Sequence, residues 1–177
     1  IKYVFFSKYV FKLPAKKKIL IYDNNNVRYL NKYFHSNDFS ILYTRGEEFN
    51  LVILFKNFLK DKFSKKEYFE TYIKYVDPNI LITFSDNDKT FLLIKKNSTK
   101  KIIIQNAWKN EHNDHIFRNI SARKDKAQFS LDYIFVFNKD FGEKYKKLTG
   151  CKYFVIGSFK SNFIKINLKK KYDILYI

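Results

Sequence analysis

One cysteine, one tryptophan, two prolines, four glycines and no methionine are all that these rarer residue types contribute to the 177 residues. A lone Cys151 cannot close an intramolecular disulfide or build a thiolate cluster, and no secretory leader is visible, so the reducing cytoplasm is the expected compartment. With so little glycine, neither G-x-G-x-x-G, G-x-x-x-x-G-K-[ST] nor G-x-S-x-G occurs. The dinucleotide fingerprint, the P-loop and the hydrolase nucleophile elbow are thereby unsupported. No apolar run approaches the roughly 18 to 20 residues that a spanning helix needs. The chain is not expected to cross a membrane by itself, while peripheral contact with an anionic membrane face stays open.

Acid is scarce too, with 17 Asp+Glu against 35 Lys+Arg and a formal charge of +18. Such an excess invites a nucleic-acid partner, because phosphate neutralisation dominates that kind of affinity. Only Arg28, Arg45, Arg118 and Arg123 are arginines, however, and it is arginine's planar fork that suits bidentate phosphate and base-edge recognition. Lys, Asn, Ile, Phe and Tyr are abundant while Gly, Pro and Ala are scarce, the pattern of A+T-rich coding. Most of the charge is ascribed to that bias. An anionic partner accounts for the remainder: a phosphorylated substrate, an acidic glycan or an anionic membrane. Nucleic acid is not favoured, and a basic nucleic-acid-binding α/β domain is kept as the alternative. It would need a contiguous lysine face with aromatics for stacking.

What the chain does hold is a series of short β-branched and aromatic runs at 18–22, 39–43, 80–84, 101–104, 133–137 and 153–156. Most are continuously apolar, as strands covered on both faces are. Between them Leu51, Val52, Phe55 and Leu59, then Phe69, Tyr72, Ile73 and Val76, and later Phe141, Tyr145 and Leu148 recur at helical spacing. Each set is expected to be a core-facing stripe with lysines opposite. Asp77-Pro78 should end the second helix, and Gly150 should cap the third in the left-handed conformation. The alternation predicts an α/β fold, a Rossmann-like doubly wound parallel sheet. A polar stretch at about 106–130 is expected to be either a long surface loop or a loop with a short helix.

Ligands of such sheets gather beyond the carboxyl ends of the strands. The residues there are Asp23, Asn24, Asn25 and Asn26; Thr44, Arg45, Gly46 and Glu47; Ser85, Asp86, Asn87 and Asp88; Gln105, Asn106, Ala107 and Trp108; Asn138; and Gly157, Ser158, Phe159, Lys160, Ser161 and Asn162. Side chains that both donate and accept hydrogen bonds suit a hydroxyl-rich ligand such as a sugar. Several are also favoured helix caps. Gln105 and Asn106 are harder to dismiss, since paired amides at a strand end are not ordinary turn residues. His112 and His115 flank Asp114 at a spacing that fits metal on a helix, but no convincing third ligand follows, so neither metal nor cofactor is expected.

As an ordered set, Arg45-Gly46-Glu47 with Asn50, the 78–88 stretch, Ile104-Gln105-Asn106, the 132–138 stretch and the 156–162 stretch resemble bacterial surface-carbohydrate biosynthesis proteins. These look like glycosyltransferases of the GT-B type, built from two Rossmann-like domains. The resemblance implies that 1–166 is the amino-terminal, acceptor-side domain and that 167–177 is a linker and the first strand of a second domain. The chain is then a fragment, inactive alone, with its nucleotide-sugar donor held mostly by the second domain and a glycan or lipid-linked acceptor by the first. Asp86 would be the first candidate base, followed by Glu47 and Asp88. Arg45, Asn87, Gln105, Asn106, Trp108, Asn138, Gly157, Ser158, Lys160 and Asn162 would bind substrate. Ala107-Trp108 departs from the family, whose members tend to have glycine after Gln-Asn.

Overall fold

The computed structural model describes residues 6–95, 98–109 and 129–163. In chain order the strands are β1 (Lys8–Val10), β2 (Ile19–Tyr22), β3 (Phe39–Leu42), β4 (Glu48–Asn50), β5 (Ile80–Thr83), β6 (Lys100–Ile104), β7 (Tyr133–Val136) and β8 (Lys152–Val155). The helices are α1 (Leu51–Phe58), α2 (Lys65–Val76), α3 (Lys89–Leu93) and α4 (Lys139–Thr149). Six strands form one sheet in the order β3-β2-β5-β6-β7-β8, and every neighbouring pair is parallel. This is the expected Rossmann-like α/β architecture, and each of the six apolar runs supplies one strand.

Strand alternation divides the core in two. Leu20, Tyr22, Leu81, Ile103, Ile134 and Val136 face α2, α3 and α4, packing on Phe69, Ile73, Val76, Phe91, Phe141 and Tyr145. Ile19, Ile21, Ile82 and Ile104 face the other way, onto Val27, Leu30 and Phe84. Period-two side chains with apolar character on both faces require such a two-sided cover. The helix ends follow their local chemistry. Ser64 and Glu67 form a reciprocal capping box at the start of α2, Asp77 (φ 53°) closes it in the left-handed conformation before Pro78, and Gly150 (φ 72°) closes α4 in the same way.

Gly142 in α4 is required by close approach. A Cβ there would lie 2.3 Å from Cδ2 of the Tyr153 ring on β8, and Tyr153 is also tied to Glu143 through a 2.6 Å hydrogen bond. Overpacking of this kind outweighs the better helix propensity of alanine. Gly142→Ala is expected to destabilise the protein by about 1–2 kcal/mol, which a urea unfolding curve measures. An unchanged midpoint would mean that the β8 edge moves aside freely.

Two features differ from the sequence expectation. β1 and β4 pair in parallel as a separate two-stranded sheet, Lys8 to Glu48 through Val10 to Asn50; three-residue strands are too short to show a period. The second difference is α1, whose apolar stripe faces solvent. Only Ile53 and Asn57 of this helix are buried, whereas Phe55 and Leu59 are 61% and 65% exposed. The inward position is held by hydrogen bonding: Asn57 Oδ1 accepts from Thr71 of α2 at 2.6 Å, which fixes that side of the helix against its neighbour. Most of the 106–130 loop, with His112, Asp114 and His115, lies outside the described residues, as does 167–177. Among the described residues no helix is long and apolar enough to cross a membrane.

Candidate functional site

The order of the main sheet reverses at β2. The chain steps from β2 outward to β3, then returns to β5 on the other side of β2. Above the carboxyl ends of β2 and β5 the outgoing loops part in opposite directions, which is where open α/β sheets form their ligand crevice. The residues leaving these strands are Asp23 and Ser85-Asp86, and all three are buried.

Asp23 ends β2 with a positive φ of 76°, and its N–H donates to Leu42 O at 2.9 Å, prolonging the pairing with β3. Its Oδ2 collects three donors. Arg45 Nε and Nη2 reach it at 3.0 and 2.7 Å, and Ser85 Oγ donates to the same oxygen. Both arginine donors fall on one oxygen, and the other, Oδ1, is buried with no hydrogen-bond partner among the described residues. Leaving a buried acceptor unsatisfied costs about 1–3 kcal/mol. A ligand hydroxyl is one group that removes this cost.

Asp86 forms the second buried carboxylate. Its Oδ2 accepts the Asn106 N–H at 3.0 Å, and its Oδ1 pairs with Lys109 Nζ at 3.2 Å, both side chains being less than a tenth exposed. Lys109 also donates to the Asp86 carbonyl at 3.0 Å. Asn106 in turn accepts from Asn26 Nδ2 at 2.6 Å. The turns after β2, β3, β5 and β6 are therefore one network containing Asp23, Asn26, Arg45, Ser85, Asp86, Asn106 and Lys109.

Gln105, despite its neighbour, turns to the other side. Its Oε1 accepts from Phe137 N–H at 2.9 Å and its Nε2 donates to the Ala107 carbonyl at 3.0 Å. A carboxamide is needed there because one group must accept and donate at once. The other candidates divide between caps and surface. Asp88 caps α3 through Thr90 N–H and takes the Tyr22 hydroxyl at 2.8 Å; burial first, and the Asp88 carboxylate second, push the Tyr22 phenol well above its ordinary pKa, so it stays a neutral donor. Asn138 caps α4 through Phe141 N–H. Glu47 is exposed and accepts from the Arg45 N–H at 3.1 Å. Asn87 and Trp108 are exposed, the latter by 65%.

Gly157 (φ 66°) turns the chain after β8, and Ser158 leads into a 3-10 segment, Phe159–Phe163, which carries Lys160 and Asn162. Phe159 packs 5.5 Å from the Phe84 ring and 5.8 Å from Tyr33, and Phe163 packs 5.2 Å from Tyr29. This segment thus returns across the sheet to the residue preceding Ser85. Cys151 is buried, and burial pushes its thiol up, so it is no nucleophile. Among the described residues no three His, Cys, Asp or Glu side chains come close enough to hold a metal.

Of this network, the sequence placed Asp23, Asn26 and Ser85 at strand ends but gave them no site role, and it did not single out Lys109. The signal for Asp23 was its place directly after the first strand of the sheet; Lys109 is identified only by the ion pair. No curated protein and no solved structure matches the chain. Residues 102–177, less than half of the chain, match a family model described as "putative O-antigen biosynthesis protein", a span that contains Gln105, Asn106 and Lys109. That similarity supports a role in surface-polysaccharide biosynthesis.

Proposed function

We propose that the chain is the acceptor-side part of a glycosyltransferase that builds a surface polysaccharide, with 1–166 as the first of two Rossmann-like domains in a GT-B arrangement and 167–177 leading into the second. The observation that carries it is the buried Asp23 carboxylate at the switch point, with one oxygen bound by Arg45 and Ser85 and the other without a partner among the described residues. Of the two buried carboxylates, Asp86 uses both oxygens to fasten the turn at 106–109. Asp23 is accordingly the better acceptor for a substrate proton and Asp86 the positioning residue.

In this scheme the acceptor hydroxyl donates to Asp23 Oδ1. Its oxygen bonds to the anomeric carbon as the bond to the donor's diphosphate breaks, the bonding electrons leave with the diphosphate, and the proton passes to Asp23. Asn26 and Asn106 border the acceptor, and the exposed Trp108 offers an apolar face for sugar stacking. Lys160 and the N–H groups near Gly157 and Ser158 lie on the segment that faces the nucleotide-sugar donor, held mostly by the second domain. The acceptor is a glycan or a lipid-linked glycan.

The test is transfer of radiolabelled sugar by the full-length protein from a panel of nucleotide sugars to glycan and lipid-linked acceptors. Transfer by the wild type and its loss in Asp23→Asn are expected. Absence of both transfer and nucleotide-sugar binding, or full transfer by Asp23→Asn, would overturn the assignment.

A further inference from the structure

The inverted helix α1 supplies an unassigned surface. Leu54, Phe55, Phe58 and Leu59 lie on the side opposite Ile53 and Asn57, and all four are exposed, as is Phe63 in the following turn at 69%. Phe58 and Phe63 stack edge to face at 5.9 Å, so the side chains form one continuous ridge. Scattered apolar residues on a surface need no explanation, but a contiguous ridge of this kind marks an interaction site.

Charge selects the partner. Residues 51–66 contain Lys56, Lys60, Lys62, Lys65 and Lys66 against the single acid Asp61. Lys60, Lys62 and Lys65 are exposed, while Lys56 lies over the Tyr75 ring at 5.4 Å, keeping its stem along apolar surface. A second copy docked ridge to ridge would bring two lysine sets together, a like-charge arrangement that disfavours association. An anionic bilayer reverses the sign of that interaction and accepts phenylalanine and leucine into its interface at the same time.

We infer that α1 and the turn through Phe63 dock the protein on an anionic membrane surface, with the phenylalanines and leucines inserted at the headgroup level and the lysines on the lipid phosphates. The ridge is joined to the crevice. A cavity of about 550 Å³ is lined by Leu54 and Phe63 of the ridge together with Tyr43 and Arg45, and Arg45 holds Asp23. Docking therefore places the Asp23 side of the sheet close to the bilayer, whatever reaction occurs there.

Sedimentation with lipid vesicles tests the inference independently of activity. Vesicles containing phosphatidylglycerol are expected to bind the protein at least tenfold more tightly than pure phosphatidylcholine vesicles, with binding weakened by salt. The double variant Phe55→Ser/Phe58→Ser should lose tenfold or more of that binding with an unchanged unfolding midpoint, since both side chains are already exposed. Lys60→Gln/Lys62→Gln should lose binding to anionic vesicles alone. Equal binding by the phenylalanine variant would overturn the inference. So would a wild-type dimer that this variant converts to monomer, or displacement from vesicles by a single-stranded oligonucleotide at equimolar amounts.

Discussion

Lys101→Ala is expected to lower the unfolding free energy by about 4 kcal/mol, a large part of the roughly 5–15 kcal/mol that domains possess. Lys101 sits on β6 with 1% exposure, at a position where the strand pattern calls for an apolar residue. Each of the ammonium's three N–H bonds has an acceptor: the Leu92 carbonyl at 3.0 Å, the Ile94 carbonyl at 2.9 Å and Ser130 Oγ at 3.1 Å. The same group lies 5.3 Å from the centre of the Phe91 ring. Lysine thus caps the carboxyl end of α3 from inside the core and joins it to the strand entering β7.

Two effects oppose each other when this residue is replaced. Removing a buried charge recovers desolvation energy, which is why apolar replacement of a buried ion is sometimes neutral. Here the partners are backbone carbonyls at a helix end, and they cannot leave with the lysine. The Leu92 carbonyl keeps the Ser130 N–H at 3.1 Å, but the Ile94 carbonyl loses its donor, and an orphaned acceptor costs about 1–3 kcal/mol, which offsets the recovered desolvation. Lys101→Met, which preserves most of the volume, should still cost about 1–3 kcal/mol for that reason. Thermal unfolding would show the alanine variant as a fall of roughly 8–16 °C. A methionine variant as stable as wild type would show that the charge, not the acceptors, dominates the balance.

The largest functional effect is expected at Asp23. Asp23→Asn preserves the shape of the side chain and removes the proton acceptor, and turnover should fall about 100- to 10,000-fold, the range for losing a general base. Donor affinity should stay within about twofold, because the donor is assigned to the other domain. Asp86→Asn has a different signature. It weakens the pairing with Lys109 and loosens the 106–109 turn, so the acceptor KM should rise about tenfold or more while turnover falls less than in Asp23→Asn. Measured kcat and KM for the two variants separate the roles. If Asp86→Asn abolishes turnover and Asp23→Asn spares it, the base is Asp86, as its place after a central strand had suggested.

The six main strands were legible because continuous apolar runs have few other uses in a chain with so few breakers. Asp77-Pro78 and Gly150 were legible because each dictates its own backbone conformation. The orientation of α1 was not. A stripe at Phe55 and Leu59 declares that an apolar face exists, but what covers it depends on packing that Asn57 and Thr71 decide. Within the crevice, Arg45, Asp86 and Asn106 could be collected from their positions after strands. Asp23 stood among the strand-end residues with no role of its own, and only the strand order shows that β2 is where the sheet reverses. The amide pair after β6 also separates in space: Asn106 joins the network at Asp86, whereas Gln105 fastens the exit of β6 to that of β7.

The backbone of Asp23 gives the crevice a thermodynamic character of its own. Its φ of 76° belongs to a region that glycine occupies without penalty and other residues at a cost of order 1 kcal/mol. The same residue buries an acceptor oxygen that no donor among the described residues matches. Folding alone would be served better at both points by a smaller, neutral residue. The end of β2 is therefore a frustrated position, where local conformation and global stability disagree, and a bound hydroxyl would relieve part of that conflict. Ligand binding at Asp23 should tighten the protein as a whole and not merely occupy its surface.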